Sequence, residues 1–223
     1  MTFNAIAAIS NNKGIGINNK LPWHLKSDLK HFKNLTIGNG NNSIIMGKNT
    51  WNSTNFLKNR HNYILSTTLE IDEIKDNYEI KSFKDLTSLI KYLKNKNYTT
   101  NWIIGGSQIY QTFLNNNMID YVYLTLIDKY FECDTFFPNM PKYFVKKEMK
   151  ISNELYNGEN HIYFITYQKI KKNQELTYKN IHTCTVKDIH FDDYPNIYFT
   201  ISYDDKEIQT TIDNLKLYTR NIY

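Results

Sequence analysis

The chain has 223 residues, 41% of them hydrophobic and 22% charged, close to the average for a globular domain. That balance excludes a disordered chain, and no apolar run approaches the roughly 18 residues that a spanning helix needs. Met1-Thr2-Phe3-Asn4 does not open a charged segment followed by an apolar one, so no signal peptide is expected. Only Cys133 and Cys184 occur, far apart, which excludes a disulfide framework and a cysteine-based metal site. The expectation is a cytoplasmic protein without a metal.

The net charge of +5 is unevenly spread. Residues 1–171 carry 21 Lys and Arg against 14 Asp and Glu, a net +7, while residues 172–223 carry six against eight, a net −2. A basic excess of this size suits an anionic small ligand or nucleic acid, and equally an ordinary solvated surface.

In chain order, FNAIAAIS over 3–10 reads as a buried strand. Asn11 to Lys20 is a loop with Gly14 and Gly16 as hinges. Leu25, Leu29 and Phe32 recur at i, i+4 and i+7, one face of a helix. SIIMG over 43–47 is a second strand, and Asn49 to Asn52 opens a short helix. NYILS over 62–66 is a third strand, and DLTSLIKYLK over 85–94 an amphipathic helix with Asp85 at its start. WIIGG over 102–106 is a fourth strand, followed by a helix from Ser107 to Leu114. YVYLTLI over 121–127 and HIYFITYQKI over 161–170 are later strands with no clear helix between them, which leaves room for an antiparallel edge. Strands alternating with helices predict an α/β fold with a mostly parallel central sheet flanked by helices. No internal repeat or low-complexity tract is present.

The composition shifts at Lys171-Lys172-Asn173-Gln174, which sets expected domains at 1–171 and 172–223. In the tail, TCTVKDIHF over 183–191 and IYFTISY over 197–203 read as strands. Ile197, Phe199, Ile201 and Tyr203 alternate with Tyr198, Thr200 and Ser202. Asp204-Asp205-Lys206 is a turn, and Glu207 to Ile212 a return strand. The tail is therefore expected to be a small all-β, barrel-like module of SH3-like or Tudor-like pattern. Its Tyr and Phe residues either form a core, the commoner case, or line a groove for a protein partner of unknown kind. Its negative charge argues against nucleic acid.

Asp28 falls at the edge of the helical arc marked by Leu25, Leu29 and Phe32, so a carboxylate borders an apolar face. An acid in a first helical turn is also simply favoured by the dipole. Partial burial would raise its pKa and demand a donor-rich partner. Ile104-Gly105-Gly106-Ser107 runs from an apolar strand through two glycines into a helix, a junction where backbone can approach a phosphate or merely turn tightly. It is not the G-x-G-x-x-G fingerprint. Gly47-Lys48-Asn49-Thr50 follows the second strand in the same way, and Ser66-Thr67-Thr68 the third. All lie at the carboxyl edge of one sheet, where α/β folds bind ligands, and together they point to an elongated ligand with several phosphates, such as a dinucleotide.

At this point the chain resembles dihydrofolate reductase. The residues that carry the likeness are Ile6-Ala7-Ala8, Gly14-Ile15-Gly16, Leu21-Pro22-Trp23, Asp28-Leu29 and Phe32, then Ile45 to Trp51, Leu57-Lys58-Asn59-Arg60, Ile104-Gly105-Gly106 and Tyr110. Tyr123-Leu124-Thr125 and Asp134 to Pro138 continue it, so that it covers about residues 1–170. The resemblance implies an enzyme that passes hydride from NADPH to C6 of dihydrofolate, with a proton reaching N5, and so supplies one-carbon carriers for thymidylate and purine synthesis. It implies that Asp28 holds the pterin ring, supported by Thr125, with Leu21 and Trp23 completing the catalytic set and a water near Asp28 and Leu21 as the proton source.

On the same resemblance, Ile6, Ala7, Leu29, Phe32, Thr54, Leu57 and Ile104 line the substrate pocket, and Arg60 clamps the glutamate carboxylate. The loop Gly14–Trp23 would be mobile and close over the nicotinamide. Ala8, Ile15, Gly16, Asn19 and Leu21 would meet the cofactor on that side. Gly47, Lys48, Asn49 and Thr50 would face Gly105, Gly106, Ser107, Gln108, Ile109 and Tyr110 across its phosphates. Leu65, Ser66, Thr67, Lys48 and Lys81 would serve the adenosine end and its 2′-phosphate. No acid directly follows the third strand to hold a free 2′-hydroxyl, which favours NADPH over NADH.

Three features depart from the family pattern. Thr67 and Gln108 stand where an Arg often binds the 2′-phosphate, Cys133 replaces a common glycine, and the stretch from Thr54 to Leu57 is short and lacks a proline. Two other readings compete: a same-fold pyrimidine reductase of riboflavin synthesis, and a non-catalytic folate-binding adaptor. The tail is too short for a fused thymidylate synthase. The expected partner is a small-molecule substrate, with no nucleic acid and no membrane.

Overall fold

The computed structural model describes residues 1–54, 56–192 and 196–217. The last six residues of the expected tail domain lie outside the described residues. The strands are β1 (Phe3–Ser10), β2 (Gly14–Gly16), β3 (Asn42–Gly47), β4 (His61–Leu65), β5 (Asp72–Lys75), β6 (Tyr78–Phe83), β7 (Thr100–Gly105), β8 (Tyr121–Ile127), β9 (Thr135–Phe136), β10 (Phe144–Ile151) and β11 (Ile162–Lys169). The helices are α1 (Lys26–Ile37), α2 (Lys48–Thr54), α3 (Leu86–Leu93) and α4 (Ser107–Asn115). The tail adds β12 (Glu175–Tyr178), β13 (His182–His190), β14 (Tyr198–Tyr203), β15 (Lys206–Thr211) and β16 (Leu215–Leu217).

By packing the chain divides into two compact units, Met1–Asn139 with Lys150–Ile165, and Met140–Met149 with Thr166–Tyr223. The sequence places its single cut at 171, whereas β10 and β11 each have residues in both units. No described helix is long and apolar enough to cross a membrane.

The main sheet has nine strands in the order β10-β11-β8-β1-β7-β3-β4-β6-β5. The pairs β1–β7, β1–β8, β3–β7, β3–β4 and β4–β6 are all parallel. Of these, β1, β3, β4 and β7 are buried along most of their length, which is why they read as apolar runs rather than alternating ones, whereas β6 is only partly buried and carries no such run. Ile44, Ile45, Met46, Ile64 and Ile103 are wholly buried. An antiparallel edge is present at β5–β6, joined through Asp76 and Asn77, both with positive φ, the signature of a tight hairpin turn. Every residue of β5 is exposed, so no apolar pattern announces it. Helix α3 starts as expected, with the Asp85 carboxylate accepting from the Ser88 amide at 2.7 Å.

The second unit contains a five-stranded antiparallel sheet in the order β15-β14-β13-β12-β16. Leu176, Val186, Phe199 and Ile201 are wholly buried there, with Cys184, Ile197 and Leu215 beside them in the core. The alternation over 197–203 thus marks the buried face of β14. Phe199 and Tyr178 are core residues, while Tyr198 and Tyr203 are half-exposed.

Candidate active site

A cleft of about 970 Å³ opens along the carboxyl edge of β1, β3, β4 and β7. Of the residues singled out from the sequence, all but Trp23, Arg60, Lys81 and Thr125 line it.

One arm of the cleft is apolar. It is built on Ile6, Ala7 and Ala8 of β1 and on Leu29 and Phe32 of α1. The periodic face of α1 is therefore split: Leu25, at 3% exposure, enters the core, while Leu29, at 46%, and Phe32 line the cleft, and Thr36 is the buried residue of the helix. Asp28 lies half-buried in that arm. Burial raises its pKa, Thr125 opposes the rise by hydrogen-bonding its side chain, and the charge of Glu154 adds to it. Thr125 itself is buried on β8, where it pairs with Ala8 across the ladder. Tyr110 closes the floor, its hydroxyl donating to the Ile6 carbonyl at 2.7 Å.

The other arm is polar and narrow. Gly105 has φ +114, and a Cβ there would meet the Tyr110 ring at 3.2 Å, so the β7–α4 turn demands glycine twice over. A Cβ on Gly47 would press on Ile109 at 3.2 Å, and one on Gly106 would stand 3.7 Å from Thr50 Oγ1. These glycines keep open the space between the start of α4 and the start of α2. At the end of this arm Lys48 Nζ donates to Thr68 Oγ1 at 3.0 Å, and the Ser66 hydroxyl accepts from the Thr68 and Leu69 amides at 3.2 and 3.1 Å. The arrangement suits a flat heterocycle at one end and an elongated phosphate-bearing ligand at the other.

The dihydrofolate reductase family profile matches residues 2–172. The chain belongs to that family. It is 35% identical over 181 residues to the dihydrofolate reductase of Heliothis virescens, a match covering 75% of this chain and 97% of that protein. Identity to the Drosophila melanogaster dihydrofolate reductase is also 35%, over 65% of this chain and 83% of that protein. Among solved structures, Enterococcus faecalis dihydrofolate reductase, complexed with NADP(H) and RAB-propyl, superimposes with a TM-score of 0.66 and 25% identity, covering 76% of this chain and 97% of that one. The family is the first of the three readings weighed from the sequence.

Within this dihydrofolate reductase fold, the four residues outside the cleft lining are informative. Trp23 is buried against Phe131, ring centroids 5.0 Å apart, and its indole N–H has no hydrogen-bond partner among the described residues. Arg60 is 5% exposed beneath Phe32, with its guanidinium 5.6 Å from that ring and no carboxylate paired with it among the described residues. Burial lowers its pKa to about 10, still well above neutrality. Lys81 is bonded to Asp72 on the neighbouring strand, away from the cleft. Lys84, which the sequence reading passes over, lines the cleft instead, paired with Glu70 at 3.2 Å. Lys20, Ser53, Thr112, Thr135 and the start of α3 also line it unannounced, and Thr68 lines it beside Ser66 and Thr67. The available signal for Lys84 was its place just after the β6 strand end, on the same carboxyl edge as Ser66.

Part of the loop expected to be mobile makes hydrogen bonds in this structure. Ile17 and Lys20 exchange two backbone hydrogen bonds of 2.9 Å around Asn18 and Asn19, both with positive φ. The Asn18 amide donates to Asp134 at 2.8 Å, and Asn49 donates to Asn19 at 3.2 Å. Gly14 answers to packing, not to hinge freedom: it is buried in β2 against β9, and a Cβ there would collide with Cys133. Cys133 itself is partly buried.

Proposed function

We propose that this protein reduces 7,8-dihydrofolate to 5,6,7,8-tetrahydrofolate with NADPH as hydride donor, in the cytoplasm. The observation that carries the reading is the half-buried Asp28 carboxyl in the apolar arm of a cleft whose other arm is a glycine-lined, lysine-tipped groove. The Enterococcus faecalis relative, solved with NADP(H), supports the same cofactor. The fit is local as well: a side chain at Gly106 would stand in the space between the starts of α4 and α2, 3.7 Å from Thr50 Oγ1, where a pyrophosphate would lie.

When bound, NADPH supplies the hydride, and dihydrofolate takes it at C6. The chain supplies alignment and field. Asp28 accepts from the ring N–H and amino group of the pterin, and Thr125 fixes the orientation of that carboxyl. The Asp28 charge sits in a poorly solvated setting, so it stabilises positive charge building on the protonated ring more than an exposed acid does. Leu21, 53% exposed at the rim, covers the site from the loop side. Arg60 clamps the glutamate carboxylate of the substrate. Lys48, Ser66, Thr68 and Lys84 hold the 2′-phosphate in place of the missing arginines, with Lys81 left to its structural partner.

Residues 1–171 form the reductase and 172–223 a separate module, whose net −2 charge supports a protein partner over nucleic acid. A chain ending at Lys171 that retains reductase activity supports that division, and loss of soluble protein overturns it. The function itself is tested by the fall in nicotinamide absorbance with NADPH and dihydrofolate, repeated with NADH. Turnover with NADPH is expected; absence of dihydrofolate-dependent oxidation of either cofactor refutes the reading.

A further inference from the structure

Helix α1 carries Asp28 in its first turn, yet it does not cap its own start. Its N-cap residue is Leu25, in extended backbone with φ −130° and ψ 117°, and no side chain there bonds the free amides. The missing acceptor comes from 127 positions along the chain, where Glu154 Oε2 takes the Ser27 amide at 2.6 Å. Glu154 is held in turn. Its amide donates to Ser152 Oγ at 3.1 Å, and the segment closes just beyond it, with Tyr156 N donating to the Asn160 carbonyl at 2.8 Å. Hydrogen bonding from Ser27 and the nearby Lys26 charge keep the Glu154 carboxyl below the usual glutamate range, so it is ionised at neutral pH.

We propose that Glu154 is a positioning residue for the reaction at Asp28, clamping the first turn of the helix that carries the acid and setting the charge that the acid feels. The inference rests on the reading of Asp28 as the acid that grips the substrate. The groups facing Asp28 come from several elements. Thr125 on β8 hydrogen-bonds it and favours its charged form; Tyr110 on α4 lies close enough that the Asp28 charge helps raise the phenol pKa. On α1 itself Lys26 acts on Glu154, and Lys150 on β10 acts on His31. Glu154 is thus the negative charge that, after burial, keeps the Asp28 proton in place to higher pH. Two partly buried carboxylates share one helix start, Glu154 capping it and Asp28 lining the cleft.

The test separates cap from charge. Glu154→Gln keeps an acceptor for the Ser27 amide and drops the charge, while Glu154→Ala loses both. Asp28 is followed directly by carbon-13 NMR of its carboxyl in the protein without ligands, and the hydride-transfer rate is followed against pH. Both variants are expected to shift the Asp28 titration, and the alkaline fall of the rate, to lower pH. Only the alanine variant is expected to lower Tm, by roughly 2–4 °C for the loss of a cap in a chain of this size. Glu159→Gln, an exposed change in the same segment, is expected to move neither. An Asp28 titration in Glu154→Gln that superimposes on wild type overturns the proposal. Asp28→Asn tells the two failures apart: if it removes the pH-dependent fall while Glu154→Gln leaves that fall in place, only the role of Glu154 is wrong. If the fall survives in Asp28→Asn, the reading of Asp28 is wrong and this inference falls with it.

Discussion

The Arg60 guanidinium donates through Nη1 to the Thr36 hydroxyl at 2.5 Å, and that hydroxyl donates to the Phe32 carbonyl at 2.7 Å. Arg60 Nε is also spent, on the Lys58 carbonyl at 3.1 Å. A buried charge is thus aimed by neutral partners, so its remaining donors are free of a competing carboxylate. Arg60→Leu is expected to raise KM for dihydrofolate roughly 10- to 100-fold with little change in kcat, the order of losing a hydrogen bond to a charged group. Thr36→Val, which removes only the hydroxyl that aims Arg60, should give a smaller rise. Steady-state kinetics check both, and an unchanged KM in Arg60→Leu discards the clamp.

Asp28→Asn is expected to cut turnover by roughly 10²–10⁴-fold near neutral pH. It should also make the protein more stable there. Burial raises the Asp28 pKa in the folded state, so between the unfolded and folded values the folded protein binds more protons, and stability falls as pH rises. The cost begins above the ordinary value of 3.8 and is complete above the folded one. The Tm of Asp28→Asn should exceed that of wild type at neutral pH, and the gap should close as pH falls below about 3.8. Equal Tm values at neutral pH would show that Asp28 is not desolvated.

On the proposed reading Lys84 would meet the 2′-phosphate from an exposed position and would leave Glu70 to do so. Lys84→Ala is therefore expected to weaken NADPH binding by roughly fivefold, in keeping with the up to about 1 kcal/mol of an exposed ion pair. Binding of NADH should not change. Fluorescence titration with each nucleotide checks this, and an equal loss for both would move Lys84 away from the phosphate.

Glu79 on β6 is the hub of a polar cluster outside the cleft. It accepts from Lys96 at 2.6 Å, Tyr63 at 2.5 Å, Tyr92 at 3.1 Å and Tyr98 at 3.2 Å, with His61 Nδ1 3.7 Å away. Burial works against its charge, but the donors Lys96, Tyr63 and Tyr92 outweigh it and pull the carboxyl down to about 2. Its contribution to stability is therefore present above the ordinary value of 4.5 and lost as pH falls towards about 2. Glu79→Ala removes the acceptor that Lys96, Tyr63, Tyr92 and Tyr98 share, leaving the buried Tyr63 hydroxyl paired with the Tyr98 hydroxyl, and should cost on the order of 1–3 kcal/mol at neutral pH. Thermal melts across pH should show the gap to wild type closing through that acid window.

The parallel strands β1, β3, β4, β7 and β8 were legible from apolar runs such as those of β3 and β7, whereas the parallel strand β6, YEIKSF and only partly buried, was not. Strands β5 and β10 were not, because their residues are largely exposed and carry no alternation. The glycines at 47, 105 and 106 announced a ligand edge correctly, but the chemistry around them did not fully follow. In the sequence Lys84 differs from Lys81 only by falling just past the end of the β6 segment; that Lys81 turns to Asp72 and Lys84 faces the cleft is decided by the fold. Gly14 read as a hinge because a glycine in a loop usually is one; what requires it is the approach of Cys133, 119 positions away.

Taken alone, the sequence determined what depends on neighbours along the chain. That includes the apolar runs that become central strands, the glycine turns that follow them, and an acid at the border of an apolar helical face. Tertiary structure decided what depends on residues brought together from afar: Thr125 against Asp28, Thr36 under Arg60 and Glu154 at the start of α1. The reason is physical. Backbone propensity and hydrophobic period act over a few residues, whereas the proton affinity and aim of a side chain are set by burial and by partners within a few ångströms in space, which no local pattern encodes.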